Sequence, residues 1–194
     1  MHKPKDEQEM LKLLVAKSFE FNQTHNIYQR QNEDEVYNKD IIECLEINKH
    51  IKQGDKILDI GSGGGFPGLV IGITNPNNNI DLVESNRKKC YFLKQAQHDL
   101  GLKNVNILNQ RLEKNNTLGQ YDLITARAFA TTGKIINLTN NNTKQHTKYI
   151  LFKGTKAKIE EELTELNTNN FNYEIINQSK EGKERHFVKI TINE

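Results

Sequence analysis

The segment from Ile57 to Gly68 constrains the fold of this chain more than any other part of its sequence. It reads Ile-Leu-Asp-Ile-Gly-Ser-Gly-Gly-Gly-Phe-Pro-Gly, an apolar strand that ends near Asp59 and is followed by a run of glycines. Glycine lets the backbone turn sharply and approach a ligand closely, because it carries no Cβ. A helix is predicted to begin just after Pro67. A strand, a glycine-rich turn and a helix in this order form the first unit of an alternating α/β fold.

A second apolar strand, which ends in Glu84, indicates what this loop binds. It lies about twenty residues after the glycines, where nucleotide-binding α/β folds place the carboxylate that holds a ribose. The pattern therefore predicts a cofactor that carries a nucleoside. Asp59 would repel the pyrophosphate of a dinucleotide such as NAD, but it would attract a cationic ligand. S-adenosylmethionine (SAM) carries a sulfonium and an ammonium group and no phosphate, so the pattern favours SAM, with NAD as the alternative.

The order of the remaining elements predicts the fold class. Strand and helix patterns alternate from Lys56 onward, which indicates a mostly parallel sheet with helices on both faces. The last two strands are separated only by residues 180–185 and are predicted to form an antiparallel hairpin at the sheet edge. We predict an α/β, Rossmann-like methyltransferase fold with a seven-stranded sheet over residues 54–194, preceded by an N-terminal helical extension over residues 1–53. The predicted strands are 56–60, 80–84, 104–108, 121–125, 148–153, 173–177 and 187–192. The predicted helices are two within 7–53 and others near 67–74, 87–100, 129–139 and 156–167.

The composition restricts the class of protein. The chain has 194 residues, enough for one α/β domain with a short extension. Its net charge of +2 permits an RNA partner without requiring one. Cys44 and Cys90 lie in predicted helices outside any C-x-x-C pattern, which indicates reduced thiols. The sequence shows neither an apolar run of membrane-spanning length nor a signal peptide. We therefore expect a cytoplasmic protein without a membrane segment.

Basic residues are concentrated at the predicted carboxyl ends of the strands, where open parallel sheets bind ligands. Arg111, Arg127 and Lys153 follow strand ends, and Lys88 lies in the basic first turn of a helix. Positive charge there opposes the helix macrodipole, so we predict a phosphate contact for Lys88, with a solvated helix start as the alternative. For Arg127 we predict a place beside the cofactor, with a structural ion pair as the alternative.

Patterns that are missing from the sequence narrow the choice of methyl acceptor. After the fourth predicted strand the chain reads Thr125-Ala-Arg-Ala-Phe-Ala130, not the Asn/Asp-Pro-Pro-aromatic segment of enzymes that methylate exocyclic amines. Neither cysteine lies at a strand end as a nucleophile, and no His, Asp or Glu cluster has the spacing of metal ligands. N7 of guanine has a free lone pair and no proton to lose, so its methylation needs only proximity and orientation. We therefore expect neither a metal ion nor a general base.

The chain resembles the RsmG (GidB) family, bacterial methyltransferases that modify guanine N7 in small-subunit ribosomal RNA. The similarity extends from about Phe21 to the C-terminus. It rests on the segments Asp59–Gly68, Glu84–Leu93, Arg111–Glu113, Ala126–Ala130, Lys153–Gly154 and Gly182–His186. The family usually has a histidine where this chain has Asp40, so a role for that histidine does not carry over.

The resemblance implies a SAM site and a surface for 16S ribosomal RNA or the small ribosomal subunit. SAM would contact Asp59, Gly61, Ser62, Gly63 and Phe66 of the loop, with Glu84 on the ribose, Leu112 and Glu113 beside the adenine, and Arg127 as a positioning residue at its border. RNA would contact Asn22, Lys153 and Arg185, together with the strand-end and helix-start residues Arg111 and Lys88. We expect a monomer. Two alternatives are a SAM-dependent enzyme that acts on another RNA or a small molecule, and a non-catalytic RNA-binding protein that kept the loop.

Overall fold

The sheet of this protein has seven strands in the order β3-β2-β1-β4-β5-β7-β6. The computed structural model describes residues 6–164, 166, 171–179 and 184–192. Strands β1 to β5 run parallel to one another, and β7 pairs antiparallel with both β5 and β6. The strands are β1 (Lys56–Ile60), β2 (Asn79–Glu84), β3 (Val105–Asn109), β4 (Tyr121–Arg127), β5 (Thr143–Lys153), β6 (Phe171–Asn177) and β7 (His186–Ile192).

Helices cover both faces of the sheet, so successive strand residues lie in two separate cores. Ile57 packs in one core with residues of the N-terminal helices, whereas Leu58 packs in the other with Ile135 and Ile159. Burial of both faces is what a parallel sheet requires. The helices that follow β1 are α4 (Gly68–Thr74), α5 (Arg87–Leu100), α6 (Thr132–Thr139) and α7 (Lys156–Thr164).

The N-terminal extension packs on the same face as α4 and α5. Helix α1 (Glu7–His25) begins at Asp6, whose side chain caps it by accepting from the Glu9 amide at 2.8 Å. Phe21 stacks on Phe92 of α5 with ring centroids 4.6 Å apart. The second helical segment changes type along its length: α2 (Glu33–Val36), a π-helical turn (Tyr37–Ile41), α3 (Ile42–Leu45) and a 3-10 helix (Glu46–His50).

The predicted fold class and the antiparallel hairpin at the sheet edge are confirmed. Several boundaries differ from prediction by one or two residues, and the starts of β5 and α6 differ by more. Strand β5 begins at Thr143, five residues before the predicted start, and α6 begins at Thr132 rather than near residue 129. Residues 165, 167 and 180–183 lie outside the described part of the chain, and with them the predicted end of the last helix and most of the last turn. No helix of the described residues has the length and apolarity needed to cross a membrane.

Candidate cofactor and substrate site

The parallel strands end together at one edge of the sheet, which brings the predicted site residues into one region. Ile60 at the end of β1 pairs with Val83 of β2 and with Ala126 of β4. Ala126 pairs in turn with Leu151 of β5. The loops that follow these strands therefore lie side by side above the sheet edge, as expected for a ligand site in an open parallel sheet.

The loop after β1 exposes its backbone on one side. Gly61, Gly63 and Gly65 all have positive φ angles, of +70°, +52° and +89°, a conformation that favours glycine. The Gly61 amide donates to the Val83 carbonyl at 2.8 Å, which ties the loop to β2. A Cβ placed on Gly63 would have the Gly61 carbonyl oxygen, 3.6 Å away, as its nearest neighbour. The space above Gly63 is therefore open to a ligand.

Glu84 holds this loop in place from the end of β2. Its Oε2 accepts from the Gly63 amide at 3.0 Å, and its Oε1 accepts from the Asn86 amide at 2.8 Å. The side chain is buried, with 7% exposure. Each carboxylate oxygen can accept more than one hydrogen bond. Glu84 can therefore hold the loop and accept from a ribose hydroxyl at the same time.

Asp59 lies beneath the loop rather than on its open side. It is fully buried, and its Oδ2 accepts from the Gly68 amide, in the first turn of α4, at 3.1 Å. Its Oδ1 has no hydrogen-bond partner among the described residues. Burial raises the pKa of Asp59 to about 7. Asp59 was predicted to attract a cationic ligand. From its buried position it would do so from below the loop backbone.

A cavity of about 690 Å³ lies beside the loop, at the ends of β4 and β5. Residues after these two strands form one wall, and the N-terminal extension forms the other with Tyr28, Arg30, Asp40 and Glu43. The ring of Phe129 lies between the cavity and the loop: it lines the cavity, and a Cβ placed on Gly61 would be only 2.5 Å from it. The cofactor loop and the cavity are therefore neighbours.

Arg127 lines this cavity and is held by an ion pair. Its Nη1 donates to Asp40 Oδ1 at 2.7 Å, and Arg30 binds the same carboxylate with two hydrogen bonds of 2.8 and 2.9 Å. The Arg127 guanidinium also lies 5.3 Å from the centre of the Phe66 ring. The structure thus contains both features proposed for Arg127, the ion pair and a position between loop and cavity. Asp40, where the family usually has histidine, anchors two arginines.

The other predicted RNA contacts have different surroundings. Lys153 and Arg185 line the cavity, but Lys153 Nζ donates to Glu162 Oε2 at 2.6 Å and to the Ala130 carbonyl at 3.0 Å. Asn22 is buried, and its Oδ1 accepts from the Tyr28 amide at 3.0 Å. Asn22 holds the backbone of Tyr28, which lines the cavity, but Asn22 itself does not line the cavity.

Four of the remaining predicted site residues lie around the end of β3 and the start of α5, and the fifth, Ser62, lies in the glycine loop. Lys88, Arg111 and Glu113 are exposed, whereas Leu112 is buried in the second core. Ser62 is buried in the loop, and its Oγ donates to the Asp59 carbonyl at 3.2 Å. The structure therefore gathers Arg127, Lys153 and Arg185 around the cavity and leaves Lys88 and Arg111 outside it.

Several residues of the cavity wall are not marked by any pattern in the sequence. Arg30, Glu43 and Phe129 line the cavity without having been predicted as site residues. The Ala-Phe-Ala run pointed to Phe129 only through resemblance, and nothing in the sequence distinguishes Glu43 from its acidic neighbours. Within the described residues, no group of three or more His, Cys, Asp or Glu side chains is arranged to share a metal ion.

A family model and related sequences match most of this chain. The family model described as "GidB: rRNA small subunit methyltransferase G" matches residues 7–188. The ribosomal RNA small subunit methyltransferase G of Brachyspira hyodysenteriae is 35% identical over 190 residues, which are 96% of this chain and 92% of that protein. The protein of the same name from Hydrogenovibrio crunogenus is 35% identical over 159 residues, 81% of this chain and 73% of that protein.

Solved structures share the fold at low sequence identity. A methyltransferase from Pyrococcus furiosus superposes with a TM-score of 0.65 at 15% identity, covering 92% of this chain and 95% of that one. A SAM-dependent methyltransferase from Aquifex aeolicus superposes with a TM-score of 0.63 at 13% identity, covering 92% of this chain and 98% of that one. These two comparisons establish the fold.

Proposed function

The chain belongs to the rRNA small subunit methyltransferase G family, and we propose that it transfers a methyl group from SAM to N7 of a guanine in 16S ribosomal RNA. Family membership makes the protein an enzyme, a SAM-dependent rRNA methyltransferase. The observation that carries the proposal is that an open glycine loop and a separate cavity of about 690 Å³ lie next to each other, with the Phe129 ring between them. One space can hold the methyl donor and the other can hold a base.

The residues of the loop fit SAM, which supplies an electrophilic methyl group on its sulfonium when bound. The open backbone at Gly63 permits close approach, and Glu84 can accept from the ribose hydroxyls. The orphan Oδ1 of Asp59 adds buried negative character beneath the loop, which suits a cationic ligand. We further propose contacts from Ser62, Phe66, Arg127, Leu112 and Glu113.

The cavity residues position the base rather than exchange protons with it. Guanine N7 carries no proton, so the protein needs to align the lone pair with the methyl group. Asp40 fixes Arg127 at the boundary between cavity and loop. Lys153, held by Glu162, supports the cavity wall. We propose that exposed cations, among them Arg185, Lys88 and Arg111, contact RNA phosphates, and that Asn22 acts through the loop that carries Tyr28.

We further propose that the substrate is 16S ribosomal RNA or the small subunit, that the enzyme works in the cytoplasm, and that it acts as a monomer. A chemical test reports directly on the methylated atom. Methylation at N7 leaves a positive charge on the base, and borohydride reduction then makes the glycosidic bond labile. Aniline should therefore cleave enzyme-treated 16S RNA at one new site, and the cleavage should require SAM. Methyl incorporation without such cleavage would indicate another acceptor atom and would overturn the proposal.

A further inference from the structure

Three carboxylates line the cavity, and two of them are fully engaged by the protein. Asp40 accepts from Arg30 and Arg127, as described above. Oε2 of Glu162 accepts from Lys153 Nζ at 2.6 Å, from the Thr132 amide at 2.8 Å and from the Thr132 hydroxyl at 2.7 Å. Glu43 differs from both, because no residue that the structure describes donates a hydrogen bond to its carboxylate.

The surroundings of Glu43 leave both of its oxygens available as acceptors. Its side chain is only 12% exposed. Arg127 Nη1 lies 3.6 Å from Oε2, and Arg185 Nε lies 3.7 Å from Oε1, so each cation is near but beyond hydrogen-bonding distance. Burial raises the pKa of Glu43, while the two arginines act in the opposite direction. The Glu43 carboxylate is ion-paired with both arginines but keeps some exposure, so a ligand in the cavity can reach it and supply the hydrogen-bond donors that the protein does not.

The chemistry of the carboxylate indicates which edge of a base would supply the missing hydrogen-bond donors. Guanine carries two adjacent N–H donors, at N1 and at its 2-amino group, and the two oxygens of a carboxylate can accept from both. Adenine presents a lone pair at N1 and has no 2-amino group. The N1 and 2-amino edge of guanine lies across the base from N7, so a base held by that edge leaves N7 free.

Phe129 supplies the second contact that such a base needs. Its ring is 38% exposed, lines the cavity and lies against Gly61. Proteins that bind unstacked RNA bases commonly stack them on an aromatic ring and read their edges by hydrogen bonds. A guanine stacked on Phe129 would lie in the cavity that Glu43 also lines.

We propose that Glu43 is a specificity-determining residue, which reads the target guanine by accepting hydrogen bonds from its N1–H and 2-amino groups. This inference rests on the proposed function and assigns a recognition residue to the same reaction. A site built around these donors disfavours a base that lacks one of them, because a carboxylate oxygen then loses its hydrogen bond.

The test compares guanosine with inosine at the target position of otherwise identical, splint-ligated 16S RNA. Inosine keeps N7 and N1–H but lacks the 2-amino group. For the unaltered enzyme, kcat/KM should fall about tenfold or more on inosine, as expected for a lost hydrogen bond to a charged group. Glu43→Ala should lower kcat/KM on guanosine by about ten- to a hundredfold and should no longer distinguish the two RNAs. SAM affinity, measured by calorimetry, should not change.

Three further variants separate recognition from a structural role. Glu43→Gln keeps the size of the side chain but replaces one acceptor with a donor, so it should behave like the alanine variant. Glu43→Asp keeps the carboxylate and should recover part of the preference for guanosine. Glu46→Gln, which removes a carboxylate three residues away and outside the cavity wall, is the matched control and should behave like the unaltered enzyme.

Two results would overturn the assignment. The first is equal methylation of the guanosine and inosine RNAs by the unaltered enzyme, which requires no variant to fold. The second is full preference for guanosine in a folded Glu43→Gln or Glu43→Ala enzyme. Either result leaves guanine-N7 methylation intact as the function, whereas loss of N7 methylation by the unaltered enzyme would refute the proposed function itself.

Discussion

Replacing Asp59 by asparagine should change how the stability of the protein depends on pH. The carboxylate is fully buried, accepts one hydrogen bond from the Gly68 amide and has one oxygen without a partner among the described residues. Burial therefore raises its pKa from the ordinary value of 3.8 to about 7. Asparagine is nearly the same size and keeps an oxygen for the Gly68 amide, but it has no charge to bury.

The sign and size of the effect follow from proton linkage. Because the folded-state pKa lies above the unfolded value, the folded protein holds more protons between these two values, and its stability falls as the pH rises between them. At about 1.4 kcal/mol per pKa unit, the full loss above pH 7 is about 4 kcal/mol, and about 2–3 kcal/mol of it should occur between pH 5 and pH 8. Asp59→Asn should abolish this component.

Urea denaturation at a series of pH values measures the effect. The free energy of unfolding of Asp59→Asn, relative to the unaltered protein, should rise by about 2–3 kcal/mol from pH 5 to pH 8. The test uses this change with pH and not the difference in unfolding free energy at one pH, because burial of the new amide N–H₂ also contributes to that difference. Asp55→Asn, just before the same strand, controls for the change in net charge. A difference between Asp59→Asn and the unaltered protein that stays constant with pH would refute the reasoning.

Three further substitutions, one of them with a matched control, test the loop and its surroundings. Glu84→Ala should weaken SAM binding by about ten- to a hundredfold in calorimetry, since hydrogen bonds to charged groups contribute roughly 1.5–3 kcal/mol; an unchanged dissociation constant would exclude the ribose contact. Gly68→Ala would place a Cβ 2.5 Å from Asp59 Oδ2 and 2.7 Å from Leu82. This overpacking should lower the free energy of unfolding by about 1–3 kcal/mol. The control Gly154→Ala, with no atom within 4 Å of the new Cβ, should have no steric penalty. Arg127→Ala should reduce kcat by roughly a hundredfold through misalignment, and a normal turnover number would contradict its positioning role.

The sheet was largely predictable because its strands are apolar and because glycines and acidic residues typical of a cofactor site lie at the strand ends. Ile57 and Leu58 face opposite cores, a pattern that a continuous apolar run predicts for a parallel strand. The early start of β5 was missed because its first residues, Thr143 to Thr147, are polar and three of the five are exposed. This part of β5 pairs with β4 across a register shift between Tyr121 and Leu123, which no periodicity reveals.

The cavity could be predicted only in part, because its wall is assembled from distant segments. Arg30 and Asp40 come from the N-terminal extension, Arg127 follows β4 and Arg185 precedes β7. Their meeting depends on the strand order and on the π-helical turn that buries Asp40, and neither is encoded in a local pattern. Asn22 illustrates the same limit: a polar helix residue suggests an exposed contact, but the return of the chain at Tyr28 buries it.

Mass spectrometry of nucleosides tests the central claim most directly. Small ribosomal subunits and isolated 16S RNA that lack the modification would be incubated with the protein and isotope-labelled SAM, and the RNA would then be digested to nucleosides. The account predicts that labelled 7-methylguanosine is the product and that Glu84→Ala lowers its yield at limiting SAM. Label found instead on an exocyclic amine, a ribose oxygen or a protein, or no transfer to RNA at all, would contradict it.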